Sequence, residues 1–158
     1  HPFHYILIPM DIRSSGAILR ILNIIALADG YLSPNEELLL QSLEKQHRLR
    51  AKVVSWEDEL EDPQSISCLA KLIAFDYHML AMRTAVMVAS VCRGGDEDNF
   101  ICEEEERLLN ELAGALSLHA DDVKQAREDA AKELNKQPSL WQVLYDCFGS
   151  QFERPLLI

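Results

Sequence analysis

Two short acidic segments of the sequence carry residue types that can bind a metal ion. In the first, Asp29 is followed seven residues later by Glu36, and in the second, Asp98 is followed seven residues later by Glu105. Each aspartate ends one predicted helix and each glutamate begins the next, so the turn can bring the two carboxylates together. Such a pair suits a hard divalent cation; calcium is favoured because it tolerates irregular geometry, with zinc or manganese as other candidates. The complete candidate set is Asp29, Glu36, Glu37, Asp96, Asp98 and Glu105.

The same carboxylates also have an ordinary structural role. Ser33 can cap the helix that starts at Pro34, and Glu36 can reach back to complete a capping box. An aspartate beside a turn glycine, as at Asp29 and Gly30, is equally common. Metal binding and helix capping are therefore both open from the sequence. An EF-hand is excluded, because its glycine occupies the sixth loop position, whereas Gly30 directly follows Asp29.

A shift of 69 residues aligns the sequence with itself around these two segments. The stretch DGYLSPNEELLLQSLEKQHRLRAKVV, which begins at Asp29, matches DNFICEEEERLLNELAGALSLHADDV, which begins at Asp98. Gly30 aligns with Asn99, the next best residue for a left-handed turn position. This self-similarity predicts a duplicated unit of helix, acidic turn and helix. The apolar positions that are identical in the two copies are, in the first, Leu39, Leu40, Leu43, Leu49, Ala51 and Val54.

Helical periodicity runs through the chain, and no stretch alternates apolar and polar residues for long enough to indicate a sheet. We therefore predict an all-α fold, a compact bundle of about seven or eight short helices. The helix over residues 77–92, with Asp76 as its cap, is strongly apolar and is expected to be central. The predicted helices span residues 14–28, 33–47, a segment before Pro63, 63–74, 77–92, 103–116, 120–134 and 138–148.

The chain is interpreted as a single domain over residues 1–158, because no linker is long or polar enough to divide it. Its core is predicted to span about residues 13–149, with tails at residues 1–12 and 150–158. The apolar start of the chain is expected to pack on the body. A chain of 158 residues typically buries about two-thirds of its unfolded surface.

The balance of charge limits the class of partner. With 26 acidic and 15 basic residues the net charge is −11, which argues against nucleic-acid binding and adsorption to anionic lipid. No basic stretch precedes an apolar segment, and no apolar run approaches the ~20 residues that span a bilayer, so we expect a cytoplasmic protein without membrane insertion. Four cysteines without a C-x-x-C pair are interpreted as reduced core residues. The oligomeric state is left open.

Other residues offer weaker chemistry. Glu44 with His47, and His119 with Asp122, have the three-residue spacing of carboxylate-bridged metal bundles. Neither pair has the further ligands that such a site needs, so we interpret these histidines as surface residues. No local signature pairs a cysteine or serine with a base, and no glycine-rich loop is placed to cradle a phosphate. We therefore expect no enzymatic activity.

The segment ALADGYLSPNEELLL resembles the signature of the TerB-like tellurite-resistance family. Arg83 followed by TAVMVASVC resembles the arginine-led apolar helix of that family, and LSLHADDV resembles its link into a later helix. The resemblance covers about residues 18–134. It implies a compact helical stress-response protein that is not an enzyme, binds divalent metal and joins assemblies near the membrane. The acidic ligand positions it implies are Asp29, Glu36, Asp98 and Glu105. The second turn departs from the pattern, since residues 93–97 lengthen it and Asn99 replaces glycine.

Two functions follow as hypotheses. The first is a non-enzymatic, metal-binding stress-response module whose acidic turns hold divalent cations and whose helical surface docks partner proteins. The second is a purely structural interaction domain in which the acids cap helices and a groove takes an amphipathic partner helix. Partner capture in the presence of a chelator distinguishes them, because only the first depends on metal.

Overall fold

Capping residues and apolar stripes set the limits of the helices in a computed structural model of the chain. The structure describes residues 10–28, 32–51, 65–92 and 101–155, and the backbone alone of residues 52–54. These ranges contain helices and turns but no strand, which confirms the predicted all-α fold. Within the same ranges, none of the helices has the length and apolar character needed to cross a membrane. The elements are α1 (Ile12–Leu27), α2 (Pro34–Val54), α3 (Ile66–Ala70), a 3-10 turn (Phe75–Tyr77), α4 (His78–Val91), α5 (Glu103–Ala115), α6 (Ala120–Leu134), α7 (Leu140–Phe148) and a second 3-10 turn (Gly149–Gln151).

Helix α1 begins earlier than predicted because Asp11 caps it. The backbone N–H of Ser14 donates to the Asp11 carboxylate at 3.0 Å, which satisfies one of the free donors of the first helical turn. The two serines expected to start the helix are instead buried within it. The Ser14 hydroxyl accepts from the backbone N–H of Ala74 at 2.9 Å, and the Ser15 hydroxyl donates to the Asp11 carbonyl at 3.0 Å.

Helix α2 is longer than predicted. It continues to Val54, whereas the sequence pattern indicated an end near His47. His47 is buried in the middle of the helix, and its Nε2 lies 3.0 Å from the carbonyl oxygen of Ile12 at the start of α1. This contact lets a polar residue lie on the buried side of α2, which the apolar stripe alone could not reveal. The further helix predicted before Pro63 falls partly on α2, and residues 55–64 lie outside the described residues.

Helix α4 does not start with the capping residue that the sequence predicted. Ser65 caps α3, since its hydroxyl accepts from the backbone N–H of Cys68 at 3.2 Å. The prediction that Asp76 caps α4 is wrong, because Asp76 lies inside a 3-10 turn and Tyr77 precedes α4 without a side-chain hydrogen bond. A 3-10 turn that runs directly into a helix supplies backbone partners for the first helical N–H groups, so no separate cap is needed.

Helix α4 occupies the centre of the bundle, as its apolar sequence predicted. It packs against α1, α5, α6 and α7, while α3 packs against α1 and α5. Fully burying a leucine, isoleucine or methionine contributes about 1.5–3 kcal/mol, so this shared core is the main source of stability. The largest fully buried side chains are Ile18, Leu19, Ile21, Leu22, Ile25, Leu43, Ile66, Leu69, Met82, Leu109 and Leu112.

The segment after α7 folds back onto α2. Phe152 is buried, and its ring packs edge-on against Phe148 with centroids 5.2 Å apart. The side chain of Gln46 donates to the backbone carbonyl of Glu153 and accepts from the backbone N–H of the same residue, both at 2.8 Å. The amide of Gln46 thus holds the chain after α7 against α2.

Candidate functional site

The two copies of the repeat each place a glutamate in a capping box. The backbone N–H of Ser33 donates to Glu36 Oε1 at 3.1 Å, and the backbone N–H of Glu36 donates to the Ser33 hydroxyl at 3.1 Å. In the second copy the backbone N–H of Cys102 donates to Glu105 Oε1 at 3.0 Å, and the backbone N–H of Glu105 donates to Cys102 Sγ at 3.4 Å. The capping role that the sequence allowed for Glu36 is confirmed, and Glu105 repeats it with a thiol in place of the hydroxyl.

The environments of these acids differ. Glu36 is half-buried, Glu37 is exposed and Glu105 is completely buried. The remaining candidate ligands, Asp29, Asp96 and Asp98, lie outside the described residues. The three described carboxylates belong to two different helices, α2 and α5. Within the described ranges no three His, Cys, Asp or Glu side chains converge as the ligands of one ion, and the proposed pairing of aspartate with glutamate stays a prediction.

The glutamates that directly follow Glu36 and Glu105, namely Glu37 and Glu106, have different partners in the two copies. The exposed Glu37 accepts a hydrogen bond from the Gln41 side chain at 3.3 Å within α2. Its counterpart Glu106 binds the guanidinium of Arg127 through two hydrogen bonds and so links α5 to α6. The duplicated sequence therefore keeps the cap but uses the following glutamate differently. In the first copy this glutamate is left at the surface, beside a groove.

That groove lies between α1 and α2 and has a volume of about 370 Å³. Leu27, the last residue of α1, is 58% exposed, and Leu32 approaches from the start of α2. Sequence reasoning missed this site, because the gap between two helices depends on how they pack. The available signal was the pair of leucines on either side of the first acidic turn. The apolar side chains that line the groove are Ile24, Leu27, Leu32, Leu40 and Leu69.

The polar side of the groove is organised around Glu44. Its carboxylate lies 3.8 Å from the Arg20 guanidinium and 3.4 Å from that of Arg48, and the Asn23 amide donates to it at 3.4 Å. These partners occupy Glu44, so the carboxylate orients side chains of α1 and α2. The Glu44 and His47 spacing noted in the sequence thus serves helix packing.

The histidines of the sequence analysis take different positions. His47 is only 3% exposed, so its interpretation as a surface residue is wrong. Burial lowers the pKa of His47, and the positive charges of Arg20 and Arg50 lower it further, against an opposing hydrogen bond to the Ile12 carbonyl. His119 is exposed, as expected, and its backbone N–H donates to the Asp122 carboxylate at 3.0 Å in the capping box of α6.

The cysteines are only partly the buried thiols that their scattered spacing indicated. Cys92 and Cys147 are buried, Cys68 is exposed, and Cys102 caps α5. Burial raises the pKa of Cys147 to about 12, so its reactive thiolate is scarcely populated near neutral pH. Burial also raises the pKa of Cys102. Neither thiol is therefore activated as a nucleophile.

Comparison with known proteins adds no assignment. No family model, no curated protein and no solved structure matches this chain. The resemblance to the TerB-like family therefore stays a prediction from the motif, and the function is inferred from the geometry of the chain itself.

Proposed function

We propose that this protein is a cytoplasmic, non-enzymatic interaction module whose α1–α2 groove holds an amphipathic helix of a protein partner. The observation that supports it is the apolar wall of the groove, in which Leu27 is 58% exposed beside Ile24 and Leu32. Covering such surface contributes roughly 25 cal/mol per Å² of apolar area. A groove between two helices is a recurrent recognition mode for the apolar face of a third helix.

Charge favours a partner helix that carries lysine or arginine on its flank. Glu37 lines the groove and is exposed. Among the described residues, its carboxylate accepts a hydrogen bond only from the neutral amide of Gln41. Glu36 lies beside it in the first turn of α2. The net charge of −11 attracts a basic partner from a distance as well. The charged side chains that line the groove keep an excess of negative charge, because Glu37 and Glu44 outnumber Arg20.

A pair of peptides of identical composition tests the proposal. One carries leucine and lysine at helical spacing, and the other alternates leucine with lysine, a pattern that gives an amphipathic strand. Each peptide is labelled with fluorescein and titrated with the protein in a chelating buffer, and binding is followed by fluorescence anisotropy. We expect the helix-patterned peptide to bind more tightly by at least about tenfold, the equivalent of about 1.4 kcal/mol. Equal affinities would show attraction by charge alone and would overturn the proposal.

Two equally exposed leucines provide matched variants for the same titration. Leu27 lines the groove and is 58% exposed, whereas Leu49 is 59% exposed on α2 and does not line it. We expect Leu27→Asp to weaken the helix-patterned peptide by at least about tenfold and Leu49→Asp to leave the affinity within about twofold. A similar loss for both variants would contradict a site in the groove.

Divalent metal binding is a second candidate, within a stress-response role of the TerB-like kind. One observation favours it: the same hydrogen bond, from the backbone N–H of the capping residue, holds the carboxylates of Glu36 and Glu105 at the starts of their helices. An aspartate from the preceding turn, Asp29 or Asp98, would complete an oxygen site suited to calcium. The partners would then include a membrane-associated stress-response assembly.

Calorimetry with calcium, zinc and manganese tests this second function on the wild type, Asp29→Ala and Glu36→Gln. Glutamine retains the acceptor that the capping box needs but lacks the charge that a hard cation needs. We expect metal affinity to fall in both variants while Glu36→Gln keeps its thermal stability. Absence of binding heat in the wild type, or unchanged affinity in both variants, would exclude the site.

A further inference from the structure

A second groove, of about 360 Å³, lies along α7 and shares no lining residue with the α1–α2 groove. Trp141 and Tyr145, one helical turn apart, both line it, with ring centroids 5.9 Å apart and planes at 50°. Tyr145 is 50% exposed, and the half-buried Pro138 adds apolar contact surface. Tyrosine and tryptophan are the side chains most often found to anchor protein interfaces, so this aromatic pair indicates a binding surface.

The backbone of α7, beside the groove, is already hydrogen-bonded and cannot pair with a partner strand. The backbone N–H of Ser139 donates to Gln142 Oε1 at 2.7 Å, and the backbone N–H of Gln142 donates to the Ser139 hydroxyl at 3.2 Å. This capping box satisfies donors of the first turn of α7, and the following turns are bonded within the helix. Strand pairing along the bonded turns of α7 is therefore excluded, and the side chains of this helix carry the recognition.

Two donors of the aromatic pair are available to such a partner. The indole N–H of Trp141 and the hydroxyl of Tyr145 make no hydrogen bond to another described residue. An extended polyproline II segment suits them, because its carbonyl groups have no internal partners and its proline rings pack flat on aromatic side chains. A helix would offer carbonyls that are already bonded.

Two carboxylates that line the groove can receive an arginine of this segment. Glu133 and Asp146 both line the groove. Lys136 lies 3.3 Å from Glu133 and Arg83 lies 3.2 Å from Asp146, in surface pairs that a stronger bidentate partner can displace. The guanidinium of the chain's own Arg154 lies 6.0 Å from the centroid of the Trp141 ring, so an arginine already rests near this surface.

We propose that the groove of Trp141 and Tyr145 binds an extended, proline-containing segment of a partner protein with at least one arginine. Proline rings pack on the two aromatic side chains, whose N–H and O–H groups donate to carbonyls of the segment. The arginine lies against Asp146 or Glu133. This surface is separate from the α1–α2 groove, so an experiment can contradict one of the two proposed binding sites and still support the other.

A labelled peptide of repeated Pro-Pro-Arg tests the proposal by anisotropy in the full chain. Comparison peptides replace every proline by glycine, or every arginine by glutamine, and the lysine–leucine helix peptide serves as a third. We expect the Pro-Pro-Arg peptide to bind most tightly, by at least about tenfold over each of the others at this site. The proposal would be overturned if the glycine peptide bound as tightly as the Pro-Pro-Arg peptide. It would also be overturned if the helix peptide bound more tightly than the Pro-Pro-Arg peptide and Tyr145→Ala weakened that binding.

Exposed aromatic residues supply the matched variants. Tyr145→Ala should weaken the Pro-Pro-Arg peptide by at least about tenfold. Phe75→Ala should leave it within about twofold, since Phe75 is 81% exposed and does not line the groove. The affinity of Tyr145→Phe, which keeps the ring and loses the hydroxyl, should lie between those of the two alanine variants.

Tryptophan fluorescence gives a second test. In a chain that carries Trp56→Phe, Trp141 is the one tryptophan left, and its emission should change when the Pro-Pro-Arg peptide binds. Equal effects of the alanine variants, or unchanged emission, would contradict the site.

Discussion

Glu36 and Glu105 each accept a hydrogen bond from the backbone N–H of the residue that caps their own helix, at 3.1 and 3.0 Å, in two helices that begin 69 residues apart. In both copies the backbone N–H of the glutamate donates in turn to the side chain of the capping residue, three positions earlier. The internal repeat of the sequence is therefore a repeat of helix starts. Capping is what the described atoms of these glutamates do, and metal binding is a proposal added to it.

Replacement of Glu36 separates capping from charge. Glu36→Gln keeps an acceptor for the Ser33 N–H, and we expect it to lower the free energy of unfolding by less than about 0.5 kcal/mol, through the weakened helix-dipole interaction. Glu36→Ala removes the acceptor and should cost about 1 kcal/mol. Urea unfolding followed by circular dichroism measures both. Equal losses would mean that the charge, and not the hydrogen bond, stabilises the start of α2.

Replacement of each capping residue by the one found in the other copy should change the free energy of unfolding in opposite directions. A thiol is a weak acceptor, and Cys102 Sγ lies 3.4 Å from the Glu105 nitrogen, while the Ser33 hydroxyl lies 3.1 Å from that of Glu36. Cys102→Ser is expected to stabilise the fold by about 0.5 kcal/mol and Ser33→Cys to destabilise it by a similar amount. Cys68→Ser, at an exposed side chain outside the caps, is the control. A loss of stability in Cys102→Ser would show that burial of the thiol outweighs its role as a cap.

The contact between Gln46 and Glu153 should contribute to stability. Gln46→Ala removes both 2.8 Å hydrogen bonds to the Glu153 backbone. Each such bond is worth about 0.5–1.5 kcal/mol, and this pair is solvent-exposed, so we expect a loss of about 1 kcal/mol. Gln41→Ala, on the same helix, removes only a side-chain bond to Glu37 and should cost less. Hydrogen exchange of the Glu153 amide provides a local check, and unchanged protection in Gln46→Ala would contradict the contact.

Stability should fall as the solution is acidified past the ordinary pKa of histidine. The pKa of His47 in the folded protein is lowered by burial, so the unfolded chain binds a proton at a higher pH than the native state does. The contribution of neutral His47 is therefore complete above the unfolded pKa of about 6.5 and is lost progressively as pH drops below it. His47→Gln should flatten the decline between pH 7.5 and 5. Identical pH profiles for wild type and His47→Gln would refute this assignment.

Local signals predicted most of the fold. Helices α5, α6 and α7 lie within about two residues of the predicted ranges, because caps and apolar stripes mark their limits. The start of α1 and the end of α2 were predicted less well, since they depend on contacts distant in sequence. His47 meets the carbonyl of Ile12, and Ser14 meets the N–H of Ala74. Periodicity carries no information about such partners.

The sites followed a different pattern. The capping box at Ser33 and Glu36 could be predicted because its members are adjacent in sequence. The groove beside Leu27 could not, since its walls come from α1, α2 and α3 and its size depends on how these helices pack. The second groove could not be predicted either, since its lining comes from α4, α6, α7 and the link between α6 and α7.

Amide chemical-shift mapping of the helix-patterned lysine–leucine peptide on the isotope-labelled chain, in the presence of chelator, tests the central claim most directly. We predict that the largest shifts fall on residues lining the α1–α2 groove, including Ile24, Leu27 and Leu40, with little change at Leu49. Shifts confined to other surfaces, or binding that disappears when metal is removed, would contradict a metal-independent docking groove between α1 and α2.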